Sequence, residues 1–282
     1  MPTTEREQNE ITAANESEKQ PVMFVHGLWL LAGSWEPWRG YFEERGFVTL
    51  APDWPDDPPS VAEARANPDA FAGKSVGQVT DHCADVVRHL TRKPIIVGHS
   101  FGGLIAQRLA GMGLANGAVA IDPAPFRGVL PLPLSALKAA FPALKNPLDR
   151  KASVMLTYEQ FRYAFANAVG EDEAKQLYDT YSVPAPALPL FQAAAANFNP
   201  KSETKVDTGN PARGPLLITS GERDNTVPWA ICNASYKRYK DNPAPTEIAK
   251  IPGRGHSLTI DSGWTEVADV CAAFLERNGI KA

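Results

Sequence analysis

The residues of this 282-residue chain best placed to do chemistry surround one serine, in Gly98-His99-Ser100-Phe101-Gly102. An apolar run, Pro94-Ile95-Ile96-Val97, leads into it, and Gly103-Leu104-Ile105-Ala106 opens a helical pattern behind it. A sharp strand-to-helix turn strains the backbone of its central residue and crowds the chain on either side, so small residues are needed two positions before and after. Composition alone would supply only about 0.07 chance matches to this motif, and the strand–turn–helix context makes it more specific. A serine hydroxyl becomes a useful nucleophile only when a base takes its proton and a third group orients that base. Of five histidines, His256 alone lies beyond Ser100, in the loop Gly253-Arg254-Gly255-His256. Asp224 follows the apolar run 215–219 and is the chosen acid; Asp122, at the end of the run 118–122, is a rival and Glu222 a weaker one. Each could instead serve as a turn or helix-capping carboxylate, the favoured role for Asp122 with a proline next to it.

Other chemistries find less support. His82 and His89 are seven apart on one helical pattern, about 10.5 Å in rise, too far to share a metal without other ligands. His26 and His99 read as packing and hydrogen-bonding neighbours of the turns. Cys83, Cys232 and Cys271 show neither metal-ligand spacing nor an even count for a disulfide framework, so no metal and a reducing, cytoplasmic location are expected; acyl transfer through a serine needs no cofactor, and none is expected. A net charge of -4 without a long basic run gives no footprint for nucleic acid or a membrane, and neither a signal-type apolar stretch nor a membrane-spanning run is visible. The expected partner is a small molecule; the oligomeric state is left open.

The elements that must position these residues are short apolar runs at 22–26, 47–51, 94–98, 118–122, 215–220 and 246–251, which read as buried parallel strands. Between them, Val79, Cys83, Val86 and Leu90 repeat at helical spacing, and the segments after Ser34, after Ser100 and over 264–277 read as amphipathic helices. Strand then helix, repeated, predicts an α/β fold with a doubly wound, mostly parallel sheet. Residues 126–205 break the alternation with short helical stretches separated by prolines, including Thr157-Tyr158-Glu159-Gln160 with capping-box spacing. The division expected is a polar N-terminal tail (1–20), a core (21–125 and 206–282) and a mainly helical cap (126–205).

His26-Gly27, Gly98-x-Ser100-x-Gly102, Gly221-x-x-Asp224 with Val227-Pro228, and Gly255-His256 stand in an order and spacing that together resemble the α/β-hydrolase fold family, in its serine esterase and haloperoxidase-like branch. The resemblance runs from Pro21 to the C-terminus. It implies the chain order nucleophile, acid, histidine, which makes Ser100, Asp224 and His256 the catalytic triad. Some enzymes of this kind carry the acid one strand earlier, where Asp122 stands. The resemblance also implies an oxyanion hole from the backbone N–H groups of Phe101 and Leu28. It implies a sheet of order 2-1-3-4-5-6 with its crevice between the first and third strands. One departure stands out: the family usually begins with two antiparallel strands, and residues 1–20 are too polar to supply them.

The expected activity is hydrolysis of a carboxylic ester, or a related acyl compound, through an acyl-enzyme. Perhydrolase or haloperoxidase activity, C–C bond, lactone or amide hydrolysis, and non-catalytic ligand reception are the alternatives on the same triad. A serine at the turn argues against epoxide hydrolase or dehalogenase chemistry, which uses aspartate there. The aromatic residues Trp29, Trp54, Phe126, Phe161, Phe165 and Phe191 are expected to line an apolar substrate pocket.

Overall fold

Apolar runs that must be covered on both faces find that cover in a six-stranded sheet. The structure, a computed structural model, describes residues 3–282. Strands β1 (Pro21–Val25), β2 (Val48–Leu50), β3 (Ile95–His99), β4 (Gly117–Ile121), β7 (Leu216–Gly221) and β8 (Thr246–Ile251) pair in parallel in the order β2-β1-β3-β4-β7-β8. Along each strand successive side chains alternate between two cores. Met23, Val25, Ile96, Ala118, Ala120 and Ile218 face α4 (Val76–Arg88), α5 (Phe101–Gly111) and α10 (Trp229–Lys237). Val22, Phe24, Ile95, Val97, Val119 and Leu217 face α2 (Glu36–Glu43) and α11 (Trp264–Arg277), where Trp35, Trp38 and Phe42 fill the space. β1 has β2 on one side and β3 on the other, so a crevice opens at the carboxyl ends of β1 and β3.

The N-terminal segment is not a tail. Residues Glu5–Glu16 form α1, capped by a reciprocal Thr4–Glu7 capping box, and the helix packs beside the edge strand β2. Only Glu7, Ile11 and Ala14 face inward, one per turn, a stripe too thin to register as hydrophobic periodicity. The buried Glu7 carboxylate accepts hydrogen bonds from His82 Nε2 (2.8 Å), Asp53 N (3.1 Å) and Thr4 N (2.7 Å). Burial pushes this carboxyl up, but His82 and Thr4 more than offset that and hold it below its ordinary value. Its stabilising effect is therefore complete above the unfolded carboxylate pKa of about 4.3 and is lost as pH falls through the lower folded value. Glu7→Gln is expected to destabilise the protein by about 1–3 kcal/mol at neutral pH. Urea unfolding should show that difference shrinking on acidification; a pH-independent difference would mean that charge plays no part.

Helix α3 (Val61–Ala66) follows β2 and packs on the loop carrying Leu31. Between β4 and β7 the chain leaves the sheet. It forms α6 (Leu134–Leu144), β5 (Ser153–Val154), α7 (Tyr158–Ala164), α8 (Glu171–Tyr181), β6 (Ala185–Pro186) and α9 (Leu188–Ala194), with β5 and β6 joined as a short antiparallel ribbon. Thr157 caps α7 in the reciprocal arrangement its spacing predicts. Among the described residues no helix is long and apolar enough to cross a membrane.

Candidate active site

Ser100 sits at the junction of β3 and α5 with φ 56° and ψ -120°, a left-handed backbone that a non-glycine residue adopts only under strain. The flanking glycines make the turn possible. A Cβ on Gly98 would lie 2.1 Å from Gly102 O, and one on Gly102 would lie 2.0 Å from Val25 O. The turn is thus pressed against both its own helix and the end of β1. Phe101 is the first residue of α5, so its N–H has no partner within the helix and lies at the positive end of the dipole.

The loop after β1 is equally close. A Cβ on Gly27 would come within 2.8 Å of Ser100 Cβ, so the loop after β1 passes against the serine at Gly27, one residue before Leu28. His26 is a scaffold for this loop: its Nδ1 lies 2.9 Å from Gly27 O, its ring stacks on Trp54, and its Nε2 is 3.4 Å from the buried Asp57, which Lys74 pairs at 2.9 Å. Trp29, at φ 65°, is fixed from the other side by its indole N–H donating to Val154 O at 3.0 Å.

His256 lies in the loop after β8, wholly buried, with Nδ1 2.6 Å from Asp224 Oδ2. The other Asp224 oxygen accepts from the N–H groups of Thr226 (2.6 Å) and Val227 (2.8 Å). Burial pushes the Asp224 carboxyl up; the charge and hydrogen bond of His256 and the further donors outweigh it, holding Asp224 below its ordinary value. Beside an ionised Asp224, which can only accept, the ring must present Nδ1 as the donor, and Nε2 faces away from the carboxylate. Nε2 has no hydrogen-bond partner and is buried, which leaves it available for a proton. His99 lies against the same ring, centroids 4.5 Å apart, and Phe165 packs edge-on against it at 5.0 Å. Burial, and then the neighbouring His256, push His99 well below the ordinary histidine range, so it stays neutral beside His256.

The rival acids fall elsewhere. Asp122, fully buried with φ 43°, accepts from Gly221 N (2.8 Å) and Thr219 Oγ1 (3.1 Å) and makes no hydrogen bond to His256, although polar atoms of Asp122, Asp224 and His256 all lie within 4.8 Å of one another. Burial, and then the charge of Asp224, raise its carboxyl well above the ordinary range, which favours a neutral Asp122 beside Asp224. Glu222 accepts from Gly253 N on the loop and is remote in role. His82 pairs with Glu7, and His89 caps its own helix at Asp85 O.

Beside Ser100 a cavity of about 110 Å³ is lined by Trp29, Phe101, Leu137, Ala140, Leu190 and Val227 among others. Of the six aromatics expected on its wall, Trp29 alone is there. Trp54 lies under His26, Phe126 packs on Tyr239, Phe161 stacks on Phe165, and Phe165 supports His256 and Trp29. Phe191 is half-buried on α9 away from the opening. Large rings bury the most area and are drawn into the layers beneath the wall. The wall is instead alanine and leucine from α6 and α9, and the signal for it was the alanine-rich runs Ser135–Leu144 and 193–196.

Residues 22–270 match the model of the alpha/beta hydrolase family. Solved structures similar to the chain include a monoacylglycerol lipase of Paleococcus ferrophilus (19% identity, 92% of this chain and 94% of that one, TM-score 0.61). A thermophilic esterase of Thermogutta terrifontis (19%, 92% and 90%, TM-score 0.61) and a bromoperoxidase of Bacillus anthracis (18%, 92% and 93%, TM-score 0.65) share the same fold. No curated protein matches the sequence.

Proposed function

The chain belongs to the alpha/beta hydrolase family, and from that premise we propose that it is a serine hydrolase of carboxylic esters working through an acyl-enzyme. The observation that carries this reading is the hydrogen-bonded Asp224–His256 pair, with a free, buried Nε2, in a protein whose strained turn presents Ser100 to an apolar cavity. In this reading His256 removes the Ser100 proton as the oxygen attacks the ester carbonyl, and the alkoxide-like oxygen of the tetrahedral intermediate is held by the N–H groups of Phe101 and Leu28. The proton passes to the departing alcohol, and water, activated by the same imidazole, releases the acid. No step calls for a metal or an organic cofactor.

Residues 126–205 act, in this reading, as a cap that selects the acyl group without joining the chemistry. The cavity wall from α6 and α9 supports that role. Ala140→Phe, which fills the cavity from a half-buried position, should lower kcat/KM for long-chain p-nitrophenyl esters by about 10–200-fold while leaving the acetate ester nearly unchanged. An unaltered chain-length profile would remove α6 from the acyl site. A panel of esters, lactones, amides and peracid formation tests the ester reading itself: amide or lactone turnover exceeding that of every ester would replace it.

A further inference from the structure

The helix that lines the cavity packs inside out. α6 turns Ala136, Ala139 and Ala143 toward the protein and presents Leu134 (84% exposed), Leu137 and Phe141 (62%) to the outside. Its flanks continue the pattern with Leu130, Leu132 and Leu148, the last 90% exposed. Phe198, also 90% exposed, joins them: its neighbour Asn197 accepts from Gly128 N (2.7 Å) and donates to Val129 O (3.0 Å). Water is a poor medium for such a face, and contiguous apolar patches of this kind mark interaction surfaces.

Charge identifies the occupant. Residues 127–151 expose Lys138, Lys145, Arg150 and Lys151 and half-bury Arg127, against Asp149 within the segment and Glu159 of α7 beside Lys138, on a chain whose net charge is -4. Averaged over the whole chain, that concentration disappears, which is why composition pointed away from a membrane. A second copy docked symmetrically would set this basic face against itself. An anionic lipid surface satisfies both features, taking the leucines and phenylalanines into its acyl boundary and the cations at its headgroups.

We propose that the face formed by residues 127–151 and Phe198 docks on an anionic lipid surface, so that an ester substrate reaches Ser100 from the lipid between Leu132 and Leu137. Those two side chains are exposed and also line the Ser100 cavity, so an acyl chain longer than the cavity would run out along them into the lipid. The route to Ser100 rests on the function proposed above; docking does not, and it is measured on the full chain carrying Ser100→Ala.

That protein should co-sediment with phosphatidylcholine vesicles containing phosphatidylglycerol, and bind at least about tenfold more weakly to phosphatidylcholine alone or at high salt. Leu134→Ser with Phe141→Ser, neither lining the cavity, should weaken binding about tenfold or more; in an otherwise wild-type chain the pair should leave turnover of a water-soluble ester unchanged. Lys138→Glu with Lys145→Glu should weaken binding similarly without touching the apolar positions. Vesicle binding by a protein whose wild type hydrolyses no ester would uphold docking and sink the function. Absence of vesicle binding, equal binding by both double variants, or a wild-type dimer made monomeric by Leu134→Ser with Phe141→Ser would overturn the docking proposal.

Discussion

Ser100→Ala is expected to abolish labelling by a fluorophosphonate and to lower kcat on a p-nitrophenyl ester by about 10⁶-fold, the scale on which removal of such a nucleophile is felt. The strained backbone at φ 56° lifts the hydroxyl out of the sheet, and Gly27, which would clash with Ser100 if it bore a side chain, holds the loop proposed to supply the Leu28 N–H against the serine. A reagent that mimics the tetrahedral intermediate should therefore find an attacking oxygen and two donors together. The turn, built by Gly98 and Gly102, does not depend on the serine side chain, so the variant should fold with an unchanged unfolding midpoint. Residual turnover of about 10³–10⁴ over water should survive, since oriented donors remain when the nucleophile is gone. Labelling retained on another residue, with activity intact, would remove Ser100 from the chemistry.

How much of this was visible in the sequence depends on which physical signal each part carries. The sheet was legible because parallel strands must be apolar on both faces: the run 94–98 became Ile95–His99 and 118–122 became Gly117–Ile121, each displaced by one residue, and 246–251 needed no change. The residues of the turn and the Asp224–His256 pair were legible because a strained turn demands small neighbours and a carboxylate–imidazole hydrogen bond demands those two residue types. What escaped was whatever rests on few or inverted contacts. α1 buries a carboxylate, one isoleucine and one alanine, and a polar helix held by Glu7 and His82 carries too thin a hydrophobic stripe to be read. β5 and β6 are two residues each, below the length at which alternation can be recognised. In the insertion, size misleads: Phe161 and Phe165 fill the layer behind His256, while α6 buries alanine and exposes leucine, the reverse of the rule by which an amphipathic helix is oriented from sequence.

The two buried aspartates at the ends of β4 and β7 should respond very differently to loss of a charge. Asp224 contacts His256 Nδ1 at 2.6 Å and is held ionised by that ring and by the N–H groups of Thr226 and Val227. An amide at 224 can keep those two N–H bonds through its oxygen but must turn a donor toward Nδ1. Nε2 then carries the proton and can no longer accept one from Ser100, so Asp224→Asn is expected to cost about 10⁴ in kcat. At 122 burial and the neighbouring Asp224 charge push the carboxyl up, towards its neutral form. An amide there still offers an oxygen to Gly221 N–H and a donor to Asp224, and the Thr219 hydroxyl can reverse to accept. Asp122→Asn should consequently change kcat by less than about tenfold. Asp122→Leu, which strands the Gly221 N–H in the core, should cost more than the amide in both stability and rate. Because neither the neutral acid nor the amide brings a charge to the Asp224–His256 pair, the acid limb of the kcat/KM profile should stay in place in Asp122→Asn. If Asp122→Asn is the more damaging of the two amides, or moves that limb, the orienting carboxylate belongs to β4 and the assignment of Asp224 fails.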